Sequence, residues 1–278
     1  HDPVSFDMIK IVEHQPGHGH SFQIPVTGSF RQVGQFGVLR MKRQRNECGE
    51  PAGFVLEFSQ THQMANPLFG SFDMPVQHGG VGCQPGAVED LRREVLRAQF
   101  ETNLFGWHEL TRAVIPVMRA AGRGRIIQNS SVLGFAAMAF RGGYNASKFA
   151  LEGLSDTLRL ELRGSGIEVI LIEPGPVQSR FRANSYRKYR ETIDRDHSVF
   201  ATTYAAMEAR LTQEGPTTTF TLPPEAVLKK VVHALESRRP RPRYYVTLPT
   251  HAFGLLKRVL GTRSMDALLA WASGGGRR

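Results

Sequence analysis

Tyr144 and Lys148 stand four residues apart in "YNASK". On a helix that spacing puts both side chains on one face, about a turn apart. An ammonium beside a phenol favours the phenolate and draws its pKa down from ~10 toward the working range. Such a pair can exchange a proton with an alcohol or a carbonyl. Alone, it also fits an ordinary contact on an exposed helix. Ser131 lies thirteen residues earlier, in "IIQNSSVLG", and Asn103, in "NLFG", lies 28 residues before Ser131. Downstream, "IEPGPVQS" breaks an apolar run at Pro174, Gly175 and Pro176, leaving irregular backbone that can meet a flat ring. Each has a plain alternative: a strand-end cap for Ser130 or Ser131, a helix-bending polar residue for Asn103, a turn for "PGP". Their joint order and spacing point to chemistry, because structural context is what confirms a motif.

The elements that must hold these residues read clearly from residue 86 onward. Residues 87–122 predict one long helix with acids early, basics late and Gly122 as its stop. "GRIIQNSS" (124–131) is a buried strand ending in polar residues, so Ser131 falls at a strand's carboxyl end, where open α/β sheets bind ligands. The segment from Tyr144 predicts a helix of about six turns ending at Gly164, and "IEVILIEPGP" a further strand. Strand, helix and strand in this order imply a parallel sheet with right-handed crossovers. A polar stretch, 179–219, precedes a helix after "LPPEAV", a strand at 243–249 and a last amphipathic helix around 251–271.

At the front, "VTGSFRQVG" (Val26 to Gly34) looks like a dinucleotide loop, turning from a strand into a helix with Thr27, Gly28 and Gly34 in place. Gln32 occupies a position where a second glycine is expected, and Pro25 lies in the strand leading in. "GFVLEFS" (53–59) is a second short strand candidate, with little room for a further helix and strand before "MPVQHGG".

Together, "NLFG", "IIQNSSVLG", "YNASKFALEGL" and "EPGPVQS" resemble the short-chain dehydrogenase/reductase family, over about residues 81–183. The tail "RPRPRYYVTLP" and "LLKRVLGTRS" is similar to bacterial relatives of hydroxysteroid and retinol dehydrogenases. The resemblance implies a Rossmann-like, doubly wound, mostly parallel α/β sheet in a single domain. It implies a nicotinamide cofactor and an oxidoreductase that interconverts a secondary alcohol and a ketone, or an alcohol and an aldehyde. It also implies roles. Tyr144 exchanges a proton with the substrate oxygen, while Lys148 lowers its pKa and bonds the nicotinamide ribose. Ser131 bonds and polarises the substrate oxygen. Asn103 supports a water relay behind the lysine, and Pro174, Val177 and Ser179 meet the nicotinamide. Phe135, Met138 and Phe140 would line an apolar substrate pocket, with core packing as the equal alternative.

The cofactor half departs from the family pattern and reads as degraded or truncated. Gln32 replaces the glycine that permits close approach to phosphate. No Asp ends "FVLEFSQ", so the usual ribose reader for NAD is missing. Arg31 and the run "RMKRQR" can accept a 2′-phosphate, a lean toward NADP over NAD. The family's Asn-Asn-Ala-Gly appears only as "QHGG", ending at Gly80. An active divergent enzyme, a non-catalytic scaffold of the same fold and the inactive product of a disrupted reading frame all fit this pattern.

Bulk composition limits the remaining choices. With 41% hydrophobic residues in 278, the chain can bury a substantial core. The expected division is an irregular segment 1–20, a Rossmann-like domain 21–250 and a basic amphipathic helix and tail 251–278. Two cysteines, Cys48 and Cys83, make neither a disulfide framework nor a zinc site and suit a reducing, cytoplasmic setting. His14, His18 and His20 lie in a Gly- and Pro-rich loop without the acids or cysteines to complete a metal site, so no metal is expected. The net charge of +10 arises wholly after residue 177, where 18 Lys+Arg face 8 Asp+Glu. A solvated basic face accounts for this better than a specific nucleic-acid partner, since aromatic-basic interleaving is missing. No apolar run approaches a membrane span of ~20 residues. The last helix can lie on a membrane surface, but covering the substrate mouth or a partner subunit is the preferred reading. The resemblance suggests a homodimer or homotetramer through helices at 100–121 and 144–163.

Overall fold

The computed structural model describes residues 37–45, 51–60, 83–216 and 218–273. Strand β1 (Gly37–Arg45) pairs antiparallel with β2 (Pro51–Gln60), Gly37 opposite Gln60, as a separate two-stranded sheet. The strand expected at 53–59 is therefore present, but in a hairpin rather than in the parallel sheet. The short connection accounts for this, since a parallel crossover takes a dozen residues or more.

The parallel sheet comprises β3 (Gly124–Asn129), β4 (Ile167–Glu173) and β5 (Arg243–Tyr245), with β4 in the centre. The almost unbroken apolar text of β4 suits a strand covered on both faces. On one face Ile126 and Val169 meet Val114 and Met118 of α2 (Gly106–Ala120), with Leu158 and Leu162 at the end of α3 (Gly142–Glu161). On the other, Ile127, Ile170 and Ile172 meet Val231 and Ala234 of α6 (Glu225–Glu236). Alternate strand residues thus feed two cores, each fully buried aliphatic side chain contributing ~1.5–3 kcal/mol. Helices on both faces of a parallel sheet make this a doubly wound, Rossmann-like α/β domain.

The helix expected over 87–122 is a composite. A 3-10 turn (Val88–Asp90) precedes α1 (Arg93–Phe100), a π turn (Glu101–Phe105) and then α2, which ends before Gly122 at φ 70°. The polar stretch after residue 179 holds two helices, α4 (Phe181–Thr192) and α5 (Ala201–Thr212). The single terminal helix expected around 251–271 is instead two, α7 (Leu248–Val259) and α8 (Thr262–Ala272), separated by extended backbone at Leu260 and Gly261. Among the described residues, no helix is long and apolar enough to cross a membrane.

Candidate active site

The sheet's carboxyl edge assembles the site. β3 ends at Asn129, and Ser130 N donates to Ile172 O at 2.8 Å, extending the pairing with β4. Ser131 then caps a 3-10 turn (Val132–Gly134), its Oγ accepting from Leu133 N at 3.1 Å. Val132 N donates to Pro174 O at 2.8 Å, tying this turn to the loop beyond β4. Two neighbouring strand ends therefore present Ser131 and the Pro174–Val177 backbone side by side.

Helix α3 brings Tyr144 in its first turn and Lys148 one turn later, both buried. Lys148 Nζ donates to Asn129 O at 2.8 Å and stands 5.7 Å from the Tyr144 ring centroid. An ammonium bonded to a strand-end carbonyl is held close to the phenol by the sheet itself. The Tyr144 ring meets Phe181 edge-on, centroids 5.5 Å apart. It is 5% exposed because Phe253, Met265 and Leu269 from α7 and α8 pack into the same cluster.

Asn103 occupies the middle of the π turn and is buried. Its Nδ2 donates to Ser147 Oγ at 2.9 Å, and Ser147 Oγ donates to Tyr144 O at 2.8 Å. The extra residue of a π turn re-aims side chains locally, a device frequent at functional sites. Asn103 is thereby linked to the backbone of the turn that carries Tyr144 and Lys148.

The remaining sequence candidates divide by location. Phe135 and Met138 join the cluster around Tyr144. Phe140, at φ 58°, packs instead with Phe200 and Tyr204, in the cluster built by α4 and α5. Val177 pairs with Leu222 in an isolated parallel bridge, and Ser179 is exposed, its Oγ accepting from Phe181 N at the start of α4. Thr27, Gly28, Arg31, Gly34 and Gly80, with the histidines of the first twenty residues and Cys48, lie outside the described residues. Cys83 is a buried free thiol whose pKa burial pushes up to about 12, which rules it out as a ready nucleophile.

Several participants carried no recognisable signal in the sequence. Ser147 sits inside "YNASK", yet its partnership with Asn103 depends on the π turn. Asn129 acts through its carbonyl, which any residue supplies. Gly175 does stand in the break that the sequence marks, but its packing role does not show there: a Cβ would stand 2.1 Å from Thr247 Oγ1.

A nicotinamide group would find suitable surroundings at this edge. Asn129 Oδ1 and Ser130 Oγ are buried without a hydrogen-bond partner, and such atoms beside an irregular loop fit the polar rim of a bound ligand. Tyr144, Lys148 and the Pro174–Val177 backbone are the residues that would hold the nicotinamide riboside.

A protein-family model and a curated relative point to one family. Its model, described as short chain dehydrogenase, matches residues 56–190. The chain is 42% identical over 204 residues to "Uncharacterized oxidoreductase YbbO" of Escherichia coli (strain K12), covering 73% of this chain and 68% of that protein. It is 32% identical over 176 residues to retinol dehydrogenase 8 of Bos taurus, covering 60% of this chain and 54% of that one. Among solved structures, a short-chain dehydrogenase from Streptomyces avermitilis is 25% identical at TM-score 0.48, covering 72% of this chain and 69% of that chain.

Proposed function

The chain belongs to the short-chain dehydrogenase/reductase family, and from that premise we propose that it is an NAD(P)-dependent oxidoreductase interconverting a hydroxyl and a carbonyl on an apolar substrate. The substrate pair is a secondary alcohol and a ketone, or an alcohol and an aldehyde. The observation that carries this reading is the Lys148 ammonium, bonded to Asn129 O at the end of β3 and set against the Tyr144 ring.

A bound nicotinamide dinucleotide supplies the hydride chemistry. The chain's own residues handle the proton and the developing charge. Tyr144 gives its hydroxyl proton to the substrate oxygen in reduction and takes it back in oxidation, with Lys148 favouring the phenolate. Ser131 Oγ already accepts from Leu133 N, which leaves its own proton to donate to the substrate oxygen. Asn103, through Ser147, holds the turn of α3 on which the pair stands and supports proton relay behind Lys148.

Phe135, Met138 and Phe181 supply apolar wall around Tyr144, which favours an apolar alcohol or ketone. The retinol dehydrogenase among the relatives supports the same substrate class and a hydroxysteroid- or retinol-dehydrogenase-like subgroup. Arg31 and the basic run after it favour NADP over NAD. We assign the dinucleotide-binding domain to 21–250, after an irregular segment 1–20. The basic tail from 251 continues α7, which begins at Leu248. Exposed Phe105 in the π turn and exposed Leu154 and Leu160 on α3 support a homo-oligomer built through these helices.

The test is turnover of apolar secondary alcohols with NADP+ or NAD+, followed by nicotinamide absorbance, in the wild type and in Tyr144→Phe. Removing the proton donor should lower kcat by about 10²–10⁴-fold while leaving dinucleotide affinity within about threefold. Unchanged turnover in the variant would refute Tyr144 as the acid.

A further inference from the structure

Arg243, on β5, gathers carboxyl groups from three directions. Its Nη1 donates to Glu152 of α3 and to Glu173 at the end of β4. Its Nη2 donates to both oxygens of Asp156 of α3, at 2.8 and 2.7 Å. Glu152 and Glu173 are 6% and 0% exposed. Arg159 Nη1 adds a second guanidinium 2.8 Å from Asp156 Oδ1.

Three carboxyls thus face two guanidiniums. Burial, then the charge of Glu152, push Glu173 up to about 8 against the pull of Arg243. A proton retained on Glu173 brings the cluster to neutrality. Buried ion pairs are costly to desolvate, so stability alone is a weak reason for such a cluster.

The placement of the partners supplies a stronger reason. Glu152 lies one helical turn beyond Lys148. Glu173 directly precedes Pro174, whose carbonyl accepts from Val132 N just past Ser131. A Cβ on Gly134 would stand 2.8 Å from both Glu152 Cγ and Ser130 Oγ, so Glu152 reaches the same corner as the Ser131 turn. The planar fork of an arginine can serve three carboxyls at fixed angles, whereas a lysine is a single point charge.

We propose that Arg243 is a positioning residue: by clamping Glu152 on α3 to Glu173 at the start of the loop beyond β4, it fixes Tyr144 and Lys148 relative to Ser131 and the Pro174–Val177 backbone. Its catalytic consequence rests on the function proposed above, while the clamp itself is a property of the fold.

Hydrogen exchange on the full chain without added dinucleotide, comparing wild type with Arg243→Lys, tests the clamp directly. Amides of the Tyr144–Lys148 turn and of Gly175 and Val177 should exchange at least about tenfold faster, with Val114–Met118 unchanged. In turnover, at a temperature where circular dichroism shows the variant folded, kcat should fall about tenfold or more with KM within about threefold. Glu152→Gln, which leaves Arg243 its other two partners, gives a second reading should Arg243→Lys not fold. Exchange unchanged at those amides, or accelerated uniformly across the chain, overturns the clamp. Were the wild type inactive, the proposed function would fall, and the exchange pattern would still decide the clamp.

Discussion

At Asn103 a helical rod takes in one extra residue, and the side chain so displaced donates to Ser147 rather than to solvent. Replacing Asn103 with Ala removes that donor from a buried site while Ser147 keeps its bond to Tyr144 O. The expected cost is ~1–3 kcal/mol in urea unfolding, with kcat lowered more than KM is raised. An unchanged unfolding midpoint would mean the bond carries nothing. Tyr144, Lys148, Ser131 and Asn103 were legible in the sequence because their types and spacing are unusual together. Asn129 and Arg243 were not. One acts through a backbone carbonyl, and the other meets residues 70 to 91 positions away, which no local pattern encodes.

Elements differ in how plainly their sequences declare them. β3, β4 and α3 were evident from apolar runs and helical spacing. α4 and α5 were hidden in a polar stretch because each buries few side chains, Ser185 and Tyr189 on one and Tyr204 on the other. The break between α7 and α8 is masked in the sequence because the apolar pattern runs on across it. Where β4 ends, Glu173 gives the element a testable pH dependence. Its carboxyl, raised from 4.5 to about 8 by burial first and then by Glu152, is protonated in both states below the lower value. Between the two values the unfolded chain ionises while the fold keeps its proton, so this group's contribution to stability falls as pH rises through that window. Urea midpoints measured from about pH 5 to about pH 8 should therefore decline less in Glu173→Gln than in the wild type. Parallel declines in the two proteins would contradict the raised carboxyl.

Across the whole molecule, the described residues supply the candidate active-site edge of a doubly wound sheet, with α7 and α8 packed against Tyr144. The loop expected to grip the pyrophosphate, Val26–Gly34, lies outside them. Family, fold and candidate acid were readable from residue 81 onward, because a buried parallel strand and its crossover helix impose a strict text. Gln32 kept the front of the chain ambiguous, since one glycine decides how closely backbone approaches phosphate. The central claim is that this chain works as a nicotinamide oxidoreductase, so it must hold the dinucleotide. Titration of the full chain with NADPH and with NADH, followed by nicotinamide fluorescence, asks this most directly. The account predicts saturable binding well below about 1 mM, tighter for NADPH if the role proposed for Arg31 holds. No binding of either dinucleotide at millimolar concentration would contradict it and leave a scaffold without catalysis.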